Sequence, residues 1–183
     1  MEYINSQEYA DKFKGRYTNP EVEKAVVNAC RQLIKNRDGT NYEEAFFIDA
    51  TTGKTLSYVK GKKPNNVNMS EKLKGRLTKA KDQSIIMIHN HPNSSPFSVE
   101  DYITSSNYKS AFETIACGHN GDVYAFRKTY GTKGKRIEVH KYEAVRDYRV
   151  SYSKHSKRTT DFEARNIAWI ETAEKWGFSY ERL

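Results

Sequence analysis

The sequence predicts an α/β (α+β) domain in which a mixed β-sheet is flanked by helices. Short β-prone runs alternate with amphipathic helical segments along the chain, in the order helix, hairpin, helix, strand, helix, hairpin. The chain has 183 residues, which suits one domain with an appended segment and is enough for a buried core.

Local signals mark where each element begins and ends. The first helix is predicted to start at the cap Asn19 with Pro20 in its first turn, to carry an apolar stripe, and to end at Asp38. The strands are predicted from β-branched and aromatic runs bounded by turn residues. The later elements are predicted as a hairpin of strands 43–49 and 54–60, a helix from 70 to 77, a strand from 84 to 88, a helix from 98 to 109, a hairpin of strands 112–117 and 123–126, and a helix from 161 to 177.

The segment 88–101, which reads I-H-N-H-P-N-S-S-P-F-S-V-E-D, is the most informative stretch of the chain. If the buried strand continues through His91, side chains alternate between faces, so His89 and His91 point the same way and Asn90 points opposite. Two imidazoles can then reach one metal ion. Pro92 cannot donate to a sheet and starts a loop.

Ser98 and Asp101 form a Ser-x-x-Asp helix start, which places Asp101 on the rigid first turn of the next helix. Asp101 is therefore a third candidate ligand, and hydrolytic zinc sites commonly have about three protein ligands and one open position. Two alternatives need no metal: a histidine pair in a polar loop, and an ordinary capping box. The joint occurrence of all these features directly after a buried strand favours the metal.

This segment resembles the motif of the JAMM (MPN+) zinc metallopeptidases, His-x-His-Pro followed by Ser-x-x-Asp with an upstream Glu. The resemblance implies a JAMM/MPN core of the cytidine-deaminase-like type over residues 19–127. It implies that His89, His91 and Asp101 bind Zn²⁺, that Ser98 steadies the tetrahedral intermediate, and that a Glu activates the zinc-bound water. Six residues separate His91 from Ser98, where the familiar eukaryotic deubiquitinating members have seven, and the shorter loop is similar to bacterial and phage versions.

The upstream Glu is expected on the first strand of the first hairpin, at Glu43 or Glu44. Alternation places Glu43 with Ala45 and Asp49 on one face and Glu44 on the other, so only one of the two carboxylates can face the metal. We favour Glu43, because bacterial relatives typically show a Glu, a variable residue, Gly or Ala, and an apolar run ending in Asp. Glu44 is the rival, and a third alternative is that both residues are solvated at a strand start.

The remainder of the chain carries weaker signals. Residues 1–18 are polar and are expected to form an N-terminal arm, and 128–183 to form a basic segment and a C-terminal helix packed on the core. On that helix the aromatic residues Phe162, Trp169 and Trp176 stand at helical spacing and are expected in the core. Cys30 and Cys117 are expected to be buried fillers rather than a disulfide framework. The sequence has no membrane-spanning run and no signal-peptide pattern, so we expect a cytoplasmic protein without a membrane partner.

The positive charge is concentrated in one segment. Residues 127–158 contain eleven basic residues and three acidic ones, and 11 − 3 = +8 equals the formal net charge of the whole chain. Interleaved tyrosines add stacking surfaces, so this segment is a candidate for binding nucleic acid or an acidic protein. The alternative is a solvated helix face, which charge runs usually are.

Three functional hypotheses follow. The first is a JAMM-type metallopeptidase or isopeptidase that acts on a protein or peptide substrate, such as a ubiquitin-like conjugate or a phage structural protein. The second is a nucleic-acid-associated protein that resembles the RadC-type bacterial proteins, favoured by the basic segment. The third is a metal-free MPN scaffold, disfavoured because every ligand position is filled.

Overall fold

The computed structural model describes residues 2–129, 143–145, 147 and 160–183. Between residues 20 and 128 the elements follow the predicted order of helix, hairpin, helix, strand, helix and hairpin. The elements are α1 Glu2–Asn5, α2 Gln7–Asp11, α3 Pro20–Arg37, β1 Tyr42–Asp49, β2 Thr55–Pro64, α4 Glu71–Lys79, β3 Ile85–His91, α5 Val99–Asn107, β4 Ala111–Gly118, β5 Val123–Lys128, the C-terminal helix Asp161–Thr172, a 3-10 turn Glu174–Trp176, and β6 Phe178–Arg182.

Six strands form one sheet in the order β2-β1-β3-β4-β5-β6. The pair β3 and β4 is parallel, and the other four neighbouring pairs are antiparallel. A parallel pair needs a crossover connection, and α5 lies in that connection. The predicted mixed sheet flanked by helices is therefore confirmed, and β3, which carries both histidines, lies in its interior.

Helix α3 covers one face of the sheet. Asn19 caps it by accepting a hydrogen bond from the Glu21 backbone N–H at 3.0 Å, and Pro20 occupies the first turn, as predicted. Its apolar stripe, which includes Val26 and Leu33, is buried in the same cluster as residues of β1 and β3 such as Ile88. Burial of this face supplies the hydrophobic free energy that holds the helix on the sheet.

The N-terminal segment differs from the arm that the sequence suggests. Tyr9 and Phe13 are fully buried in the cluster beneath α3. Arg16 donates to Glu113 of β4 through Nε at 2.8 Å, and the Tyr17 hydroxyl donates to the same carboxylate. The segment 2–18 is therefore packed against the rest of the fold, because four of its side chains, Ile4, Tyr9, Phe13 and Tyr17, are buried in the core and a buried ion pair ties it to the sheet.

The C-terminal residues pack on the opposite face of the sheet. Trp169 and Trp176 are buried, as predicted, and β6 extends the sheet by pairing with β5. Phe162, also predicted to be in the core, is 37% exposed. Ala164 and Ala168 occupy the buried face of the helix instead.

Two further predictions concern the cysteines and the membrane. Cys30 and Cys117 are free and buried, as predicted. Among the described residues, no helix combines the length and apolar character that a bilayer crossing requires.

The packing of the N-terminal segment predicts the effect of truncating Phe13. Phe13→Ala should lower the free energy of unfolding by about 3–5 kcal/mol, because it removes a fully buried aromatic ring. Lys14→Ala is the matched control: Lys14 is the exposed neighbour, and its truncation should change stability by less than about 0.5 kcal/mol. Urea denaturation measures both variants. Equal stabilities would mean that the segment is an arm.

Candidate metal centre

His89 and His91 end strand β3 with their side chains on the same face of the sheet. Their Nε2 atoms are 2.9 Å apart. His89 Nε2 lies 3.2 Å from Asp101 Oδ1, and His91 Nε2 lies 3.4 Å from Asp101 Oδ2. The alternation predicted from the sequence therefore brings both imidazoles to one point, and α5 brings the carboxylate to them.

A backbone carbonyl selects the nitrogen that His91 presents to this cluster. His91 Nδ1 lies 2.8 Å from the carbonyl oxygen of Ser95. A carbonyl oxygen only accepts, so Nδ1 carries a hydrogen, and Nε2 is the nitrogen that faces His89 and Asp101 and can bind a metal ion once it is deprotonated. Metal-ligating histidines are commonly oriented by such a contact.

Asp101 is both a helix cap and a member of the cluster. Its Oδ2 accepts hydrogen bonds from the Ser98 backbone N–H at 2.8 Å and from the Ser98 hydroxyl at 2.7 Å. The Asp101 N–H in turn donates to the Ser98 hydroxyl oxygen at 3.2 Å, which completes a capping box. Asp101 can therefore cap the helix and occupy a ligand position at the same time, because its Oδ1 still faces His89.

The six-residue loop between His91 and Ser98 is held at several points. The Ser94 N–H donates to the His91 carbonyl at 2.9 Å, which forms a tight turn. At the far end of the loop, Trp169 of the C-terminal helix donates through Nε1 to the Phe97 carbonyl at 2.8 Å. Phe97 is fully buried, and its ring centroid lies 5.9 Å from that of His89. The aromatic core therefore supports the loop directly behind the histidines.

Glu43 and Glu44 occupy opposite faces of β1. Glu43 is half-buried and lines the cavity that contains His89 and Asp101. Glu44 is 1% exposed on the other face, where Oε1 lies 2.9 Å from Arg37 Nε. The predicted register is confirmed, and Glu43 is the carboxylate that shares the cavity with the cluster.

The charges in the cluster shift the pKa values of its members. Burial alone raises the pKa of Asp101, but the charges of His89 and His91 and their hydrogen bonds outweigh it and hold this pKa well below the usual value. Burial lowers the pKa of His91, and the hydrogen bond and charge of Asp101 more than reverse that effect. Burial raises the pKa of Glu43, and the two histidines offset this only in part. Strongly perturbed groups that converge in a cleft are typical of functional sites.

The cavity beside the cluster has a volume of about 490 Å³. Its floor continues along the sheet, because the pair Ala45 and His89 is followed two residues on by the pair Phe47 and Met87. Met69 also lines the cavity. The lining thus combines apolar side chains with the cluster and Glu43.

The donor set of the cluster fits a divalent transition metal. Within the described part of the chain, His89, His91 and Asp101 form a group of three candidate ligands whose donor atoms lie within 4.8 Å of one another. Two imidazoles and a carboxylate suit zinc, and ligands of a tetrahedral zinc ion are separated by about 3.3 Å, close to the separations found here. His119 is not part of this group, and its Nε2 lies 3.0 Å from Asn90 Nδ2.

Sequence reasoning missed three residues that support the site. The strand alternation places Asn90 only on the face opposite the histidines, and no sequence pattern connects Ser95 or Trp169 with them. A polar Asn inside a buried strand was the available signal, since such a side chain requires hydrogen-bond partners. The Ser95 and Trp169 contacts depend on loop geometry and long-range packing, which no local pattern encodes.

Comparison with known proteins adds no relative. No protein-family model matches the chain, and no curated protein matches it significantly. The resemblance to the JAMM family thus rests on the motif and its neighbours in the sequence.

The basic segment 127–158 lies largely outside the described residues. Its first two residues contact other parts of the fold. Arg127 Nη2 lies 3.3 Å from Glu113 Oε1, and Lys128 Nζ donates to the Tyr108 carbonyl at 2.5 Å. The other nine basic residues of this segment fall outside the described residues, and its binding of nucleic acid stays a prediction from the sequence.

Metal binding should depend on the cluster and not on histidine content. The chain is expected to bind about one zinc ion, and His91→Ala should weaken binding by more than about a hundredfold because one ligand is lost. His119→Ala removes a nearby histidine that is not in the cluster and should retain the metal. Calorimetric titration of the metal-free protein measures both, and equal losses in the two variants would contradict the assignment.

Zinc binding should weaken as the pH falls. The raised pKa of His91 means that its proton stabilises the metal-free fold below the ordinary histidine pKa, and that this stabilisation is lost as pH rises through the raised value. Zinc must displace this proton, whereas Asp101 stays ionised because its pKa is lowered. Competition titrations between about pH 6 and about pH 8 should show an affinity that rises up to about tenfold per pH unit until His91 is deprotonated. A flat pH profile would contradict this.

Proposed function

We propose that this protein is a zinc-dependent hydrolase of the JAMM type that cleaves an amide or isopeptide bond. The observation that carries the proposal is the position of Glu43, which faces the same cavity as His89, His91 and Asp101. Three candidate ligands alone are compatible with a structural metal. A carboxylate beside them, with a raised pKa and open space next to it, is the additional group that hydrolysis requires.

His89, His91 and Asp101 would hold the metal. Zinc supplies Lewis acidity, which polarises a carbonyl group and lowers the pKa of water toward about 7. The chain itself contributes the orientation of the ligands: Ser95 fixes the His91 ring through Nδ1, and Ser98 fixes the Asp101 carboxylate.

Glu43 acts as the general base and then as the general acid. It takes a proton from the attacking water while the water oxygen bonds to the carbonyl carbon, and it returns that proton to the leaving nitrogen as the carbon–nitrogen bond breaks. The products are a carboxylic acid and an amine, which become a carboxylate and an ammonium group when the acid proton passes to the amine at neutral pH. The raised pKa of Glu43 brings it closer to neutral pH, where one group can perform both proton transfers efficiently.

Ser98 is the donor for the developing oxyanion. Its hydroxyl group donates to Asp101 Oδ2, with 2.7 Å between the two oxygens, and its oxygen accepts from the Asp101 N–H. Rotation of the hydroxyl group turns the hydrogen toward a substrate carbonyl while the oxygen keeps its backbone donor. Loss of one oxyanion donor typically costs about a hundredfold or more in rate.

The substrate is a protein or peptide. The floor formed by Ala45, Phe47 and Met87 accommodates an extended chain with an apolar residue near the scissile bond, and the acidic end at Glu43 and Glu100 favours a leaving amine. A ubiquitin-like conjugate and a phage structural protein are substrates of this kind. The RadC-like, nucleic-acid-associated alternative depends on the basic segment, and the metal-free scaffold would leave this cavity without a role.

The adjacent glutamates give a sharp test of the proposal. Glu43→Gln should reduce kcat by about 10²–10⁴-fold with zinc still bound, because it removes the proton acceptor but no ligand. Glu44→Gln is the matched control on the other face of the same strand, and kcat should stay within about threefold of the unchanged protein. Steady-state hydrolysis of a panel of peptides and ubiquitin-like isopeptide conjugates measures both.

Thermal unfolding of each variant separates catalytic loss from destabilisation, since Glu44 is paired with Arg37 and its substitution lowers stability. The proposal fails if the zinc-loaded protein is inert toward every substrate of the panel. It also fails if the Glu43 and Glu44 variants lose activity equally.

A further inference from the structure

We propose that Asn90 is a positioning residue for the general base. It holds the Glu43 side chain in place through hydrogen bonds to the backbone of the residues before and after Glu43. This inference rests on the proposed function of Glu43. It assigns a role to the residue between the two metal-ligand histidines, on the face of β3 that points away from the metal.

The Asn90 side chain is fully buried and all of its hydrogen-bonding groups are used. Its Oδ1 accepts from the Glu44 N–H at 2.7 Å, and its Nδ2 donates to the Tyr42 carbonyl at 3.1 Å. The second hydrogen of Nδ2 faces His119 Nε2 at 3.0 Å. The two backbone groups that Asn90 binds belong to the residues immediately before and after Glu43.

These hydrogen bonds lie just beyond the point where the backbone pairing of β1 with β3 ends. The pairing of β1 with β3 runs from Asp49 with Ile85 to Ala45 with His89. On the other side of β1, the register with β2 shifts between Tyr42 and Glu44. Beyond that point the Asn90 side chain forms hydrogen bonds to β1 in place of the β3 backbone, because its amide offers one acceptor and two donors in a plane.

The backbone of β2 closes the other side of Glu43. A side chain at Gly61 would overlap the carbonyl oxygens of Glu43 and Asn66, so only glycine lets β2 approach this closely. The peptide groups around Glu43 are therefore enclosed by Gly61 on one side and Asn90 on the other.

The position of Glu43 depends on its backbone, because no hydrogen bond from the described residues holds its carboxylate. Within the described residues, Glu43 interacts with His89, His91 and Asp101 only through their charges, and no hydrogen bond holds its side chain. A general base must lie within hydrogen-bond reach of the proton that it moves, and an error of about 1 Å costs up to about a hundredfold in rate.

Asn90→Ala tests the role, with Asn36→Ala as the matched control. Asn36 is also an amide that holds β1, but it binds the Glu44 carboxylate at 3.0 Å and not the backbone beside Glu43. Asn90→Ala should lower kcat by about 10–100-fold with KM changed by less than about twofold, whereas Asn36→Ala should leave kcat within about twofold. Asn90→Asp keeps the acceptor for the Glu44 N–H and loses the donors, so its kcat should lie between those of the unchanged protein and Asn90→Ala. It also serves if Asn90→Ala does not fold.

A cobalt-substituted sample gives a readout that does not depend on substrate. Its visible spectrum should titrate with pH, and Glu43→Gln should displace the midpoint because the neighbouring carboxylate is removed. Asn90→Ala should displace the midpoint in the unchanged protein and cause no further displacement in the Glu43→Gln background. Asn36→Ala should leave the midpoint in place.

The outcomes separate this inference from the function on which it rests. If Glu43→Gln changes neither turnover nor the cobalt titration, the proposed function fails and Asn90 has no base to position. If Glu43→Gln changes both while Asn90→Ala and Asn90→Asp match Asn36→Ala, the role of Asn90 is overturned and that of Glu43 stands. An equal effect of Asn90→Ala with and without Glu43 would also overturn it, since the effect would then be structural.

Discussion

The arrangement of this site depends on the interactions of the Asp101 carboxylate with Ser98 and His89. One oxygen accepts two hydrogen bonds from Ser98 and so caps α5, while the other faces His89 at 3.2 Å. The start of the helix and the end of β3 are therefore joined through a single side chain. Because a charge buried without partners is costly, the carboxylate needs both the cap and the histidines, and the loop between them has little freedom.

The rest of the fold supports that connection from two directions. The parallel pair of β3 and β4 requires a crossover, which brings α5 back over the sheet beside the histidines. The C-terminal aromatic cluster then fixes α5 from outside, where the Tyr102 hydroxyl donates to the Trp176 carbonyl at 3.2 Å and Trp169 holds Phe97. On the opposite side of β3, Asn90 and Gly61 hold the strand that carries Glu43. Strand β3 thus carries both candidate histidine ligands and, between them, the residue that holds the strand of the candidate base.

The sequence predicted what depends on local periodicity and failed where distant segments meet. The two-residue period of a strand placed His89 with His91 and separated Glu43 from Glu44, and the spacing of a helix cap placed Asp101. For residues 2–18 the sequence predicts an arm because Tyr9 and Phe13 stand among polar residues, and only packing in the cluster that they share with α3 explains their burial. Phe162 had helical spacing with the buried tryptophans, but the spacing does not tell how far the supporting surface extends.

The contact between Trp169 and Phe97 also bears on the order in which the site is assembled during synthesis. The two residues are 72 positions apart, and all three candidate metal ligands precede Trp169 in the chain. A ribosome therefore delivers the ligands well before the indole that supports the loop between them. While translation continues, the nascent chain already carries the three candidate ligands, but not the packing that gives the loop between them a fixed geometry. The arrangement of this cluster is in this sense a late product of translation, completed when the C-terminal helix docks.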